Sequence, residues 1–261
     1  MHHQIETKEL AKSTVANHVN FLHAIFKRGM REGIVDANPV AAADKPSGET
    51  PHRDIRFLEI EEVEALIRAT TDDDLGRTDA AIFLTAAMTG LRQGELIALR
   101  WRDVDWANGL LRVRYSYSRG QLTRPKSRGS ERAVPMPDRV AAALDQHFKD
   151  SWCQGDDDLV FRHPVTGNFY VASTLLIRFK EALDRAGVRR VRFHDLRHTF
   201  ATRMAAVGVP LRTLQAYMGH ADVQTTMIYA DYAPDLTGGR NWAEKAFTPS
   251  ENRALTASVD G

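Results

Sequence analysis

Apolar residues recur at helical spacing over most of this chain. Val15, Val19, Leu22 and Phe26 fall at i, i+4, i+7 and i+11, which predicts an amphipathic helix over 11–33. The stretch "NPVAAADKPSGETPHRD" at 38–54 holds three prolines and few large apolar side chains, and reads as a helix stop followed by a linker. Helical patterns resume at 59–69 and 79–88, with a shorter one at 92–99. The period then drops to two. In "GLLRVRYSYSRG", Leu111, Val113 and Tyr115 alternate with Arg112 and Arg114, predicting a strand with one basic face. "RAVPMP" from Arg132 predicts a second short strand, with "QLTRPKSRGSE" as the loop between. A helix at 138–148 and a short strand at 159–162 follow, then helices at 172–186, 194–206, 211–219 and 222–232. The small, polar tail from Thr248 is expected to be disordered. The expected fold class is α+β, mainly α-helical, with a small antiparallel β-sheet.

With 43% hydrophobic residues in 261, the chain can bury a core for one large domain or two small ones. The segment before the linker is short for an independent domain, so it is expected to pack on the rest or to be the remainder of something larger. No run approaches the roughly 18 apolar residues of a membrane span, and the start "MHHQIETKEL" lacks the apolar core of a secretory signal. The lone Cys153 excludes an intramolecular disulfide and a cysteine-based zinc site. A cytoplasmic protein, away from membranes, is expected.

Net charge is only +1, but the charges are segregated. Residues 98–132 carry nine Arg or Lys against three acids, and 185–204 carry six against one. Residues 57–75 carry seven acids against one base. Such segregation can build one basic face on a near-neutral protein; dispersed surface ion pairing is the alternative.

The densest cluster of chemistry is "RFHDLRHTF" at 192–200. His194 and His198 are four apart and share a helix face, superficially like a zinc-protease H-E-x-x-H. Asp195 would replace the glutamate, however, and Arg197 would set a positive charge beside a cation. A second reading is structural: a helix-start histidine and aspartate that cap and pair. The third is phosphate. His194 and Arg197 also share a face; a guanidinium presents planar donors to two phosphate oxygens and an imidazole can move a proton.

Three further stretches accompany it. "TGLRQGELIALRW" (89–101), "TRPKSRGSERAVPM" (123–136) and "LQAYMGHADVQTTMIYA" (214–230) stand in order with "HDLRHTFAT" between the last two. Over roughly residues 57–230 the chain resembles the tyrosine recombinases, or phage integrases. The stretches resemble the family's first arginine box, its lysine hairpin, its His-x-x-Arg box, and its histidine followed nine residues later by the tyrosine.

The resemblance implies a mainly helical catalytic fold and a site-specific DNA recombinase without metal or cofactor. Tyr229 would attack the scissile phosphate, leaving a 3′-phosphotyrosine and a free 5′-hydroxyl. Arg92, Arg197 and His220 would carry the charge on the non-bridging oxygens. Lys126 would protonate the leaving oxygen, and His194 would assist proton transfer at the tyrosine. Glu95 would orient Arg92, and His198 would support the site or pack. Tyr232, three residues on, is the local rival for Tyr229. Arg112, Arg114, Arg119, Arg124 and Arg128 would track phosphates of double-stranded DNA.

The resemblance also divides the chain. Residues 1–46 would be the remnant of a helical core-binding domain, since "STVANHVNFLHAIFKRGMREGIVDANPV" resembles its last helices. Residues 47–54 would be linker, 55–247 the catalytic domain and 248–261 tail. The implied working form is a homotetramer on paired sites, with accessory DNA-bending proteins as possible partners. A type IB topoisomerase would share the chemistry without pairing sites. The reading from another class is a non-catalytic, truncated DNA-binding protein that competes with an intact recombinase.

Overall fold

The computed structural model describes Leu10 and residues 12–42, 55–124 and 131–232. The chain divides into two compact units, Met1–Asp54 and Ile55–Gly261. The linker expected at 47–54 and the tail from 248 lie outside the described residues, as do Lys126 and Arg128.

In the first unit, helix α1 (Lys12–Arg31) falls within the expected span, but only the first half of the expected apolar stripe is buried. Val15 and Val19 are buried, whereas Phe21, Leu22 and Ile25 are exposed.

The second unit is built around α3 (Asp74–Thr89), which is apolar on nearly every side. Ala81, Ile82, Phe83, Leu84, Ala86 and Ala87 are all buried, as befits a helix covered on all sides. α2 (Ile60–Arg68), α5 (Asp138–Asp150), α6 (Ala172–Ala186) and α7 (Asp195–Ala206) pack against it. α3 begins a turn before the periodicity predicts. Asp73 caps it, its Oδ1 accepting the Gly76 N–H at 2.6 Å. One polar group is sunk into this layer: Asp79 accepts the Tyr170 hydroxyl at 2.7 Å and the Arg178 Nε–H. Burial pushes the Asp79 carboxyl above its ordinary pKa although both partners favour the anion.

The short α4 (Gln93–Ile97) leads through a 3-10 turn (Trp101–Asp103) into the strands. β1 (Val104–Asp105), β2 (Leu110–Val113) and β5 (Arg132–Pro135) form an antiparallel sheet in the order β1-β2-β5. β3 (Ser116–Ser118) and β4 (Gln121–Thr123) form a separate hairpin. Two expectations are corrected here. The single strand through Tyr115 is two strands in different sheets, and the expected loop begins with a strand. β3 leaves the first sheet because its backbone lies against α4. A Cβ on Gly94 would come within 2.6 Å of Tyr117 O. The hairpin turns on Arg119 and Gly120, both at positive φ (51° and 76°), as a two-residue turn of matching twist requires.

The short strand expected at 159–162 is reduced to isolated bridges, Arg100 to Leu159 and Arg162 to Phe169. α8 (Leu211–Met218) ends on Gly219. The helix expected at 222–232 is broken into α9 (Gln224–Met227) and a 3-10 turn (Ala230–Tyr232). Among the described residues no helix is long and apolar enough to cross a membrane.

Candidate active site

The C-terminal end of α8 organises the site. A helix leaves its last carbonyls without intrahelical donors, and they carry the negative end of the helix dipole. Three successive carbonyls here take three arginines from distant parts of the chain. Tyr217 O accepts Arg132 Nε–H at 2.6 Å, Met218 O accepts an Arg197 N–H, and Gly219 O accepts an Arg92 N–H at 3.1 Å. Arg197 also donates to Gly90 O at 2.6 Å, where α3 ends in the left-handed region at φ 66°. Gly90 is needed twice over: a Cβ there would lie 2.4 Å from Phe200 Cδ1.

Glu95 closes the framework. Its carboxylate accepts the Arg92 backbone N–H (2.7 Å) and side chain (3.0 Å), and both terminal nitrogens of Arg132 (2.9 and 2.8 Å). Burial pushes the carboxyl up, but the hydrogen bonds and charge of Arg132, with those of Arg92, prevail and hold it below its ordinary range. The Arg92–Glu95 pair was legible in the sequence. Arg132 was not: it appeared only as the first residue of a strand, and nothing local marks its reach to Glu95 and Tyr217. Sequence order alone offers one weak signal, that it directly follows the lysine hairpin.

Arg197 is buried beside Arg92 and Arg132. Desolvation and the positive charge of Arg92 lower its pKa to about 9, so it is still protonated at neutral pH. Three guanidiniums against one carboxylate leave the cluster cationic. It also depresses the histidines around it. Burial, then Arg197, Arg92 and Arg132, lower His220 to about 4. Partial desolvation of the ring, then Arg197 and Arg192, lower His194, whose residue as a whole is still open to solvent just before α7. His220 Nδ1 is 3.0 Å from the hydroxyl of the buried Thr226, which orients the ring and leaves Nε2 for another partner.

Tyr229 is 1% exposed. Its hydroxyl lies 2.6 Å from His198 Nδ1. Burial raises the phenol pKa to about 12, against the lowering effect of Arg197. Tyr232, the local rival, instead stacks edge-on against Phe57 at 5.4 Å. Arg92, Glu95, His194, Arg197, His198, His220 and Tyr229 therefore form a connected neighbourhood.

The expected phosphate-tracking residues divide. Arg112 pairs with Asp105 at 2.5 Å and Arg114 with Asp103 at 3.3 Å, so both are already engaged with carboxylates. Arg124 donates to Tyr115 Oη at 3.0 Å and is exposed. Arg119, at the hairpin tip, lines a cleft of about 550 Å³ with Arg92, Tyr117, Phe169 and His194. Among the described residues no three His, Cys, Asp or Glu side chains converge as a metal site would need.

The geometry defines an arginine-centred anion site with a tyrosine built into its wall. The phage integrase family model matches residues 56–235. The chain is 31% identical to a tyrosine recombinase XerC-like protein of Caldanaerobacter subterraneus subsp. tengcongensis, over 82% of this chain and 61% of that protein. It is also 31% identical to tyrosine recombinase XerC of Natranaerobius thermophilus, over 86% of this chain and 74% of the relative. Among solved structures, the Tn1549 transposon integrase in complex with a circular intermediate DNA superposes with a TM-score of 0.71 at 21% identity, over 93% of this chain and 82% of that one. A lambda integrase dimer bound to a core site gives 0.61 at 18%, over 88% and 77%. This chain belongs to the phage integrase family of tyrosine recombinases.

Proposed function

We propose that this protein is a site-specific recombinase that cuts and rejoins double-stranded DNA through Tyr229. The observation that carries this is the convergence of Arg92, Arg132 and Arg197 on the end of α8, beside His220 and Tyr229. Arg92 and Arg197 each spend only part of their donor set on the framework. Their remaining N–H groups, with His220 Nε2, suit the non-bridging oxygens of a phosphodiester. The framework fixes these donors before substrate arrives, so little reorganisation is needed as charge develops.

The reaction is a transesterification. The Tyr229 oxygen forms a bond to phosphorus, the bond to the 5′-oxygen breaks, and that oxygen takes a proton from an acid assigned to Lys126. The resemblance gives His194, at the rim, a part in proton transfer at the tyrosine. Religation reverses every step, and no external energy source is consumed because one phosphate ester replaces another. Arg119 and Arg124 would contact flanking phosphates, as Arg128 would by the resemblance; Arg112 and Arg114, each paired with a carboxylate, would do so only by giving up that pair. A homotetramer on two paired sites, with accessory DNA-bending proteins, is the working form consistent with this family. Residues 1–46 would serve as part of a core-binding domain.

The test is to trap the covalent intermediate. The protein is incubated with nicked fragments of its source genome, with chelator present, and SDS-resistant adducts are recovered and sequenced. An adduct through a DNA 3′ end that Tyr229→Phe abolishes is the expected result. DNA binding without any adduct would overturn catalysis in favour of a competitor that only occupies sites.

A further inference from the structure

The resemblance assigns proton transfer at the nucleophile to His194. The geometry points to a different group: we infer that His198 is the catalytic residue that takes the Tyr229 phenol proton in cleavage and returns it in religation. This rests on the reading of Tyr229 as nucleophile.

Three observations carry it. First, His198 Nδ1 is 2.6 Å from the Tyr229 hydroxyl, a distance for direct proton transfer. His194 is an exposed residue one turn away, its ring centroid 5.2 Å from that of His198. Second, the Tyr229 side chain is 1% exposed in this arrangement, so its hydroxyl is held against His198 rather than in solvent. Third, His198 is neutral at physiological pH and so able to accept a proton. It faces His194, Asp195, Arg192 and Arg197 from its own segment, His220 from the end of α8, and Tyr229. Burial and His194 first, then the arginines, hold it neutral, with a pKa lowered to about 4. A neutral ring with a free Nδ1 lone pair is the tautomer that receives a phenol proton.

The step balances. The phenol O–H bond breaks as its proton passes to Nδ1, and the phenol oxygen pair forms the bond to phosphorus. The bond from phosphorus to the 5′-oxygen breaks, and that oxygen is protonated by the separate acid. The His198 imidazolium keeps its proton until the 5′-hydroxyl attacks, then returns it to the departing phenolate. The incoming phosphodiester would also raise the basicity of His198, since its negative charge offsets the arginines that depress the ring.

A duplex carrying the recovered site, nicked just 3′ of the scissile phosphate, makes cleavage irreversible and gives a single-turnover rate. His198→Asn keeps a hydrogen-bond acceptor but cannot hold the proton; it should lose about 100- to 10,000-fold in adduct formation while staying folded. The loss should shrink when Tyr229 is replaced by a fluorinated, more acidic tyrosine, and added imidazole should partly restore His198→Ala. A packing role would respond to neither. Adduct formation by His198→Asn as fast as by the native chain, or a loss insensitive to both fluorination and imidazole, overturns the assignment. Failure of the native chain to form any adduct overturns the nucleophile reading and this one together.

Discussion

Removing the charge of Glu95 tests whether its carboxylate is the keystone that the geometry suggests. Glu95→Gln keeps the shape but replaces one carboxylate oxygen with an amide that donates hydrogen bonds. That amide must then face N–H groups of Arg92 and Arg132, which approach both oxygens at 2.7–3.0 Å. The side chains of Glu95 and Arg132 are only 7% and 8% exposed, so water cannot take over the orphaned donors. Breaking one partner out of a buried ion pair costs about 3–5 kcal/mol, and single hydrogen bonds to charged groups about 1.5–3 kcal/mol. Two of the four bonds are disrupted outright, so a loss of about 4 kcal/mol is expected. For a unit of this size that corresponds to roughly 8–16 °C in melting temperature. Denaturant unfolding followed by far-UV circular dichroism reads the loss directly. Arg132→Met should cost a similar amount, and a double-mutant cycle between the two should show coupling, because each variant removes one partner of the same buried ion pair. Below the midpoint, where Glu95→Gln is still folded, adduct formation should fall more than the folded fraction does, since Arg92 loses the support that aims it. A stability change under about 1 kcal/mol would refute the reasoning, because it would mean that the cluster is hydrated and the carboxylate dispensable.

Two further outcomes follow from the same neighbourhood. Gly90→Ala forces a left-handed alanine into Phe200; it should cost about 2–4 kcal/mol and, by moving the carbonyl that holds Arg197, slow adduct formation as well, read by thermal melting beside the nicked-duplex assay. Acidification should destabilise the fold through His198 and His220: both have folded pKa values of about 4 against an ordinary 6.5, so the unfolded chain binds their protons first and stability falls as pH drops from about 6.5 to about 4. Unfolding midpoints measured across that window should decline towards acid, and His198→Asn should flatten the slope; an unchanged midpoint would show that the rings are solvated.

How far the sequence reaches into this structure depends on the range of the interaction involved. α6 lies where its periodicity predicts, residues 172–186, because a long amphipathic helix is specified by its own stripe. The early start of α3 was also written locally, in the "TDDD" run that supplies its cap, and a reading based on apolar spacing passes over it. The break between β2 and β3 was not local. Alternation of Leu111, Val113 and Tyr115 continues through it, and what separates the strands is the choice of partner: β5 for one, β4 and the back of Gly94 for the other. The same distinction explains the broken last helix. His220 holds Thr226, and the chain then folds Tyr229 inward to His198, contacts that no helical period encodes.

The site follows that division. Arg92 and Glu95 are three apart and pair, and His194 and Arg197 are three apart as neighbours; both spacings belong to helical geometry and are legible in the sequence. Arg132 acts across 37 residues to Glu95 and 85 to Tyr217, so its role exists only once β5 is laid against the end of α8. That placement also explains how a strongly cationic cluster can sit in a folded interior. Its charges are shared between one carboxylate and the carbonyls that close α3 and α8, groups that would otherwise lack donors. The helix ends need the arginines as much as the arginines need them. The α8 terminus and the anion site therefore depend on the same hydrogen bonds. A substitution at Gly219, whose added Cβ would lie 3.0 Å from Arg132 Nη1, should act on Arg132 by contact and on Arg92 and Arg197 through the carbonyls that hold them.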